Sequence, residues 1–352
     1  MSDLKINNIT DRTGDSGPVF AGVSTVSSTS AFTVPVGPTE MRGGRGRAIF
    51  CGGYTPSVVN TIDTVEISTA GNASDFGDLS RTTTDTGGFA SATRGFAVGG
   101  YNPANSPIQQ DDMDYVIFSS GGGGNDFGNL ESPTWGVSCC ANSTRGILAG
   151  GRSSDTNYNG GYLTGISYIE MASQGQDASD FGELVEDKRA ANSVNALTSA
   201  GFASPTRGVI AGGGNPRTNV IQYVTIATKG NAVDFGKLAD EAALGRNTGF
   251  SSPTRGISAG GLIPSAVNII QYVTIATTGD ATDFGDLTVV RYTAGSGASS
   301  TRGVIGGGSN PSAKQNVIDY VTIASTGNAT DFGDLTQARM NVGSSDAHGG
   351  LG

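Results

Sequence analysis

Residues 316–326, NVIDYVTIAST, set Tyr320, Thr322 and Ala324 against Val321 and Ile323. That alternation has a period of two, the pattern of a strand with two different faces. Tyr115, Tyr168, Tyr223 and Tyr272 hold the same place in four earlier segments, and Thr64 holds it in the first. A second apolar segment runs in phase with it. Arg94, Arg145, Arg207, Arg255 and Arg302 each follow Thr, precede Gly, and lead three small or apolar residues that end in Gly-Gly. Arg47-Ala48 before IFCGG is a degenerate first copy. Each copy predicts a short buried strand whose glycines take positive φ or let another strand approach closely.

The third marker is Asp-Phe-Gly followed one residue later by Leu. Its phenylalanines are Phe76, Phe127, Phe181, Phe235, Phe284 and Phe332, at spacings of 51, 54, 54, 49 and 48. A kinase would carry one such tripeptide behind an H-R-D loop, and this chain has no H-R-D. A period near fifty instead describes stacked supersecondary units. The tripeptide is read as a turn that places one Phe per unit, with Asp331 and its equivalents capping that turn. A final segment such as TVVRYTAGSGASS, 288–300, leads to the next Arg-Gly. Four short strands per unit with a recurring aromatic and Gly-Gly are the composition of a propeller blade. The six Phe rings are expected to pack between neighbouring blades.

The ends predict how the ring closes. After the sixth Asp-Phe-Gly, DLTQARMNVGSSDA at 334–347 matches DLTVVRYTAGSGAS, yet no Arg-Gly strand follows it. The first unit, conversely, begins at its Gly-Gly strand. Residues 336–347 are therefore expected to pair with 47–53, hiding the sheet edges. Residues 44–352 form the predicted propeller. Residues 1–43 hold no repeat marker and are rich in Ser, Thr and Val with Pro18, Pro35 and Pro38, an extended N-terminal arm.

Composition supports this reading. Gly reaches 56 of 352 residues, far above the usual ~7 %. A net charge of −10 argues against nucleic acid or an anionic membrane as a partner, because phosphate binding needs clustered basic side chains. No stretch approaches the ~18 apolar residues of a membrane span, and MSDLKINNIT lacks the regions of a signal peptide, which predicts synthesis in a cytoplasm. Cys51, Cys139 and Cys140 lack metal-ligand spacing and are expected to be buried free thiols.

Propellers also host enzymes. A copper oxidase site needs several histidines, and His348 is the only one. A sialidase needs an arginine cluster with a tyrosine nucleophile, but here the arginines are repeat-equivalent and so serve every blade alike. No catalytic, cofactor or metal residue is therefore assigned. DDMD at 111–114 supplies oxygens without the spacing of a dedicated calcium loop. Recognition is expected where blades depart from the repeat. The stretch from Gly-Gly to the tyrosine position takes 15 residues in blade 2 and 17 in blade 3, against 10 to 13 elsewhere. Asp111, Asp112, Asn157, Tyr158 and Tyr162 on those loops, with Trp135, the only tryptophan, are the candidate binding residues.

The order Gly-Gly, tyrosine strand, aromatic and Leu, then Arg resembles the kelch repeat over about residues 44 to 347, with Phe where kelch has Trp. ITDRTGDSGPVFAGVSTVSS, TEMRGGRGRAIFCGG, YVTIATTGDATDFGDL and SSDAHGG together resemble virion structural proteins of tailed marine phages, especially those of cyanobacteria. The resemblance implies a non-enzymatic component of the virion, in a tail, fibre or neck appendage, present in several copies. Its partners would be other virion subunits, reached through the N-terminal arm, and a host-surface glycan or protein. A head or neck decoration protein and, from another class, a carbohydrate-active propeller enzyme stay open at this point.

Overall fold

The computed structural model describes residues 46–105, 107–153, 161–173, 175–185, 198–213, 217–239 and 244–351. They form six antiparallel sheets of four strands each. In blade 6 the innermost strand is Gly295–Ala298, followed outward by Arg302–Gly306, Val317–Thr322 and Thr330–Asp334. Each strand lies beside its predecessor in sequence, so every connection within a blade is local. Innermost strands of successive blades neighbour one another right round the ring. The fold is an all-β six-bladed propeller. The arm expected at 1–43 lies outside the described residues.

Blade 1 takes its innermost strand from the other end of the chain. Met340–Ser345 pairs antiparallel with Arg47–Tyr54, setting Ala48 opposite Ser345 and Cys51 opposite Val342. Asp346 adds a tie beyond the ladder, its Oδ1 accepting from the backbone N–H groups of Gly46 and Arg47. This pairing leaves neither end of the ring with an unpaired central strand.

One expectation is corrected. Asp-Phe-Gly is not a turn but the outermost strand of each blade, as in Thr282–Asp286, where Asp283 is exposed and Phe284 buried. Asp331 likewise points to solvent from its strand. The turn before the next blade's outer strand does the capping instead. Gly327 N–H donates to Phe284 O, Ala329 N–H donates to Asp286 O, and Asn328 Oδ1 accepts from Asp286 N–H. Asn72, Asp177, Asn231 and Asp280 accept in the same way at four other junctions. So the outward edge of each blade is occupied by its neighbour, which blunts pairing with other chains. The tripeptide's glycine is needed for this contact. Gly285 has φ +145°, and a Cβ there would lie 2.5 Å from Gly327 O.

The core is divided among the blade interfaces. Phe284 of blade 5 packs with Ile305, Val321 and Ile323 of blade 6, and Phe332 of blade 6 with Phe50, Val65 and Ile67 of blade 1. All six Phe rings are buried in this way, Phe76, Phe127, Phe181 and Phe235 included. The faces of the sheets are therefore covered by one another, and the period-two pattern is what supplies an apolar residue to each face.

Candidate functional site

The arginines before each Gly-Gly strand form one repeated device. The guanidinium carbons of Arg94, Arg145, Arg207, Arg255 and Arg302 lie 4.4–4.7 Å from the ring centres of the tyrosines on the adjacent strand. Each tyrosine in turn meets its blade's Phe edge to face at 5.9–6.1 Å. The same arginines donate forward to the next blade: Arg94 to Met171 O, Arg145 to Ile226 O, Arg207 to Ile275 O, Arg255 to Ile323 O and Arg302 to Ile67 O. Arg47 completes the ring by donating to Phe118 O, and, with Thr64 in the tyrosine's place, it pairs with Glu66 instead. These side chains are occupied in joining blades.

The axial channel differs at its two ends. At one mouth Asp85, Gly136, Thr198, Arg246 and Thr293 take equivalent left-handed conformations in blades 2 to 6. Gly136 N–H donates to Asp85 O, Thr198 N–H to Gly136 O and Thr293 N–H to Arg246 O, so these left-handed residues link blade to blade. Arg246 Nη1 faces Asp85 Oδ1 at 3.8 Å across the channel. Burial pushes the Asp85 carboxyl upward, opposed by Arg246 and Lys314. At the other end Gly349–Leu351 forms a 3-10 turn against the inner strands. His348 Nε2 lies 2.7 Å from Ala90 O while Nδ1 accepts from Gly350 N–H, which assigns the proton to Nε2. Burial lowers this histidine's pKa, against the contact with Ala90 O. The three cysteines are buried free thiols, with Cys51 and Cys140 pushed up to about 12 by burial.

Sequence reasoning missed a set of charged pairs beneath the blades. Arg291 donates to Asp319, and Arg339 donates to Asp63 at 2.9 Å, with all four side chains fully buried. Arg81 holds Asp114 at 3.1 Å in the same manner. Burial raises the Asp114 carboxyl, against the pull of Arg81 and of Ser80. The carboxylate always stands immediately before the tyrosine position. In blades 4 and 5 that residue is Gln222 and Gln271, whose Oε1 atoms accept from Val185 and Ala239 N–H. In blade 3 it is Ser167.

The candidate binding residues fall as follows. Asn157 and Tyr158 lie outside the described residues. Asp111 and Asp112 are not on a loop but on strand Gln109–Ile117, because the ladder resumes beyond a bulge with Gln110 opposite Gly100 and Gln109 opposite Tyr101. Asp112 is held 3.5 Å from Arg81. Trp135 bridges Arg152, which bridges Tyr162; the Trp135 ring lies 6.2 Å from Tyr101, and Arg152 sits 5.4 Å over Tyr162. Between blades 2 and 3, beside this cluster, opens a cavity of about 460 Å³, with Tyr162, Glu131 and Ser167 on its walls.

These features define a β-propeller whose repeated side chains join blades and whose irregular chemistry gathers at the second and third blades. No known protein family matches the chain, and no curated protein matches it.

Proposed function

We propose that the protein is a non-enzymatic structural and binding component of a tailed-phage particle. Residues 1–43 would anchor it to another virion subunit in a tail, fibre or neck appendage, and the propeller would serve attachment to a host-surface glycan or protein. The observation that carries this reading is the use of the repeat's side chains. Arginine and phenylalanine are spent in every blade on contacts with the next, and in blades 2 to 6 a tyrosine packs between the two, which yields a rigid platform. The residues that occur once, Trp135 and Tyr162 among them, cluster on one sector of it. The resemblance of the quoted segments to marine-phage virion proteins supplies the setting, and a Pro-, Ser- and Thr-rich sequence suits docking by strand addition.

Immunogold labelling of purified particles with antibody against residues 44–352 tests it. Label at one defined place on the particle is the expected result; protein confined to the soluble fraction of infected cells overturns the reading. A chain starting at Met41 should fold as a propeller yet fail to join particles. Incorporation at the full-length rate removes the anchoring role from the arm.

A further inference from the structure

Internal repetition makes the cavity between blades 2 and 3 interpretable. At the junction of blades 5 and 6, Arg291 donates to Gly307 O at 3.2 Å, to Val317 O at 2.7 Å and to Asp319. At the junction of blades 1 and 2, Arg81 starts two positions earlier in its connection but reaches the same three places. It donates to Gly99 O at 3.1 Å and Asp112 O at 2.7 Å and pairs with Asp114. Two different backbone origins thus deliver a guanidinium to one set of acceptors. That convergence shows the place itself to be built for the group.

In blade 3 the corresponding positions are Gly150, Gly165 and Ser167, and all three line the cavity. Ser132 and Thr134 stand where Arg81 and Arg291 originate, so neither supplies a guanidinium. The sequence has removed the internal arginine and kept the two carbonyl positions. It has also placed Glu131 where the connections leaving blades 1, 5 and 6 carry Ser80, Thr288 and Thr336. Glu131, Asp180 and Glu183 border the space, and no Lys or Arg is among its described lining residues. Blade 5 resolves the loss of arginine differently, with Leu244 at its position and Gln271 where the carboxylate would be. Blade 3 exchanges the two partners, with the Glu131 carboxylate hydrogen-bonded to the Ser167 hydroxyl, and the cavity opens beside this pair.

We propose that this cavity is a receptor for a guanidinium group brought from outside the chain, the side chain of an arginine. Carbonyl oxygens and carboxylates in a fork suit the planar donor set of guanidinium, whereas a compact metal ion needs convergent ligands. Among the described residues no three Asp, Glu, His or Cys side chains converge at metal-binding distance. A volume of about 460 Å³ accommodates the aliphatic stem as well, with Leu130, Leu148 and Tyr162 for it to lie against. Glu131 fits the role: burial first, then Asp180, raise its carboxyl against the hydrogen bond with Ser167, and an entering cation would oppose that rise. The site stands on repeat geometry and does not depend on the protein's being part of a virion.

The test is calorimetric titration of the full chain with N-acetylarginine amide, with the citrulline analogue as neutral isostere. Saturable binding of the arginine compound, with the citrulline compound at least about tenfold weaker, is expected. Glu131→Gln should weaken binding by about tenfold. Glu131→Thr and Thr134→Arg with Ser167→Asp, which copies Thr288, Arg291 and Asp319 at the junction of blades 5 and 6, should fill the site and abolish binding while raising the unfolding temperature. A pentapeptide with a central arginine distinguishes the source: affinity equal to or above that of the amide assigns a partner polypeptide, and loss of affinity assigns a free small molecule. No binding at about 10 mM, equal binding of citrulline, or binding unchanged by both variants overturns the proposal.

Discussion

Arg291 and Asp319 meet where neither side chain reaches solvent, and the pair links the connection leaving blade 5 to the third strand of blade 6. The neighbouring junction solves the same problem without charge, with Leu244 at the arginine's position and Gln271 at the aspartate's. Burial works against Arg291's charge, lowering its pKa, and Asp319 opposes that shift.

Arg291→Leu alone strands a buried carboxylate and should cost about 3–5 kcal/mol in reversible denaturant unfolding. Arg291→Leu with Asp319→Gln copies the uncharged junction and should recover most of that loss. A double variant as unstable as the single one would mean that the two junctions are not equivalent.

Phe284 is 2 % exposed and packs across a blade boundary. Phe284→Ala should therefore cost about 3–5 kcal/mol, read from denaturant midpoints. Asp283→Ala, one residue away but facing solvent, should fall within about 0.5 kcal/mol of the parent. The contrast separates the tripeptide's structural residue from the one that resembles a catalytic aspartate.

The blade count and the buried Phe could be read from the chain because each is repeated at a near-constant period and alternates with polar neighbours. The closing strand could be read because 334–347 matches a segment seen elsewhere in the repeat. What escaped was whatever depends on two blades meeting. Asp-Phe-Gly looks like a turn when only its glycine is considered; its reason for being glycine is Gly327 of the next blade. The pairing of Arg339 with Asp63 spans nearly the whole chain, and no local pattern announces it. One signal was available: arginine in the connection and aspartate before the tyrosine position occur together in blades 1, 2 and 6, whereas blade 5 has Leu244 with Gln271 and blade 3 has Thr134 with Ser167. Asp111 and Asp112 were misplaced for a simpler reason, since blade 2's third strand begins earlier than the loop-length count assumed.

Closure is expected to control the whole ring. Gly343 of the last strand packs so closely on the backbone of Ser296 in blade 6 that a Cβ there would have no room, and Ser345 Oγ exchanges hydrogen bonds with Ala298, so the strand holds two blades at once. Removing 336–352 should lower the unfolding temperature of every probe together, not release one blade. Hydrogen exchange measured blade by blade distinguishes these outcomes, and loss of protection confined to blade 1 would refute cooperative closure.

Asp85 gives a pH dependence with a definite sign. Burial raises its carboxyl pKa in the folded chain, and Arg246 and Lys314 oppose the shift without cancelling it. The folded state therefore holds this proton to a higher pH than the unfolded state does. Its favourable contribution is present below the unfolded carboxylate range and is lost as pH rises through the folded value. Asp85→Asn removes that term, so the stability difference between variant and parent should move in the variant's favour as pH climbs from about 4 to 7. Asp114 and Glu131 are shifted in the same direction, so the parent's own pH profile would mix all three. The difference between the two proteins isolates Asp85. Parallel profiles across that window would show that its carboxyl titrates alike in both states, and the Arg246 contact across the channel mouth would then have to be stronger than a 3.8 Å separation suggests.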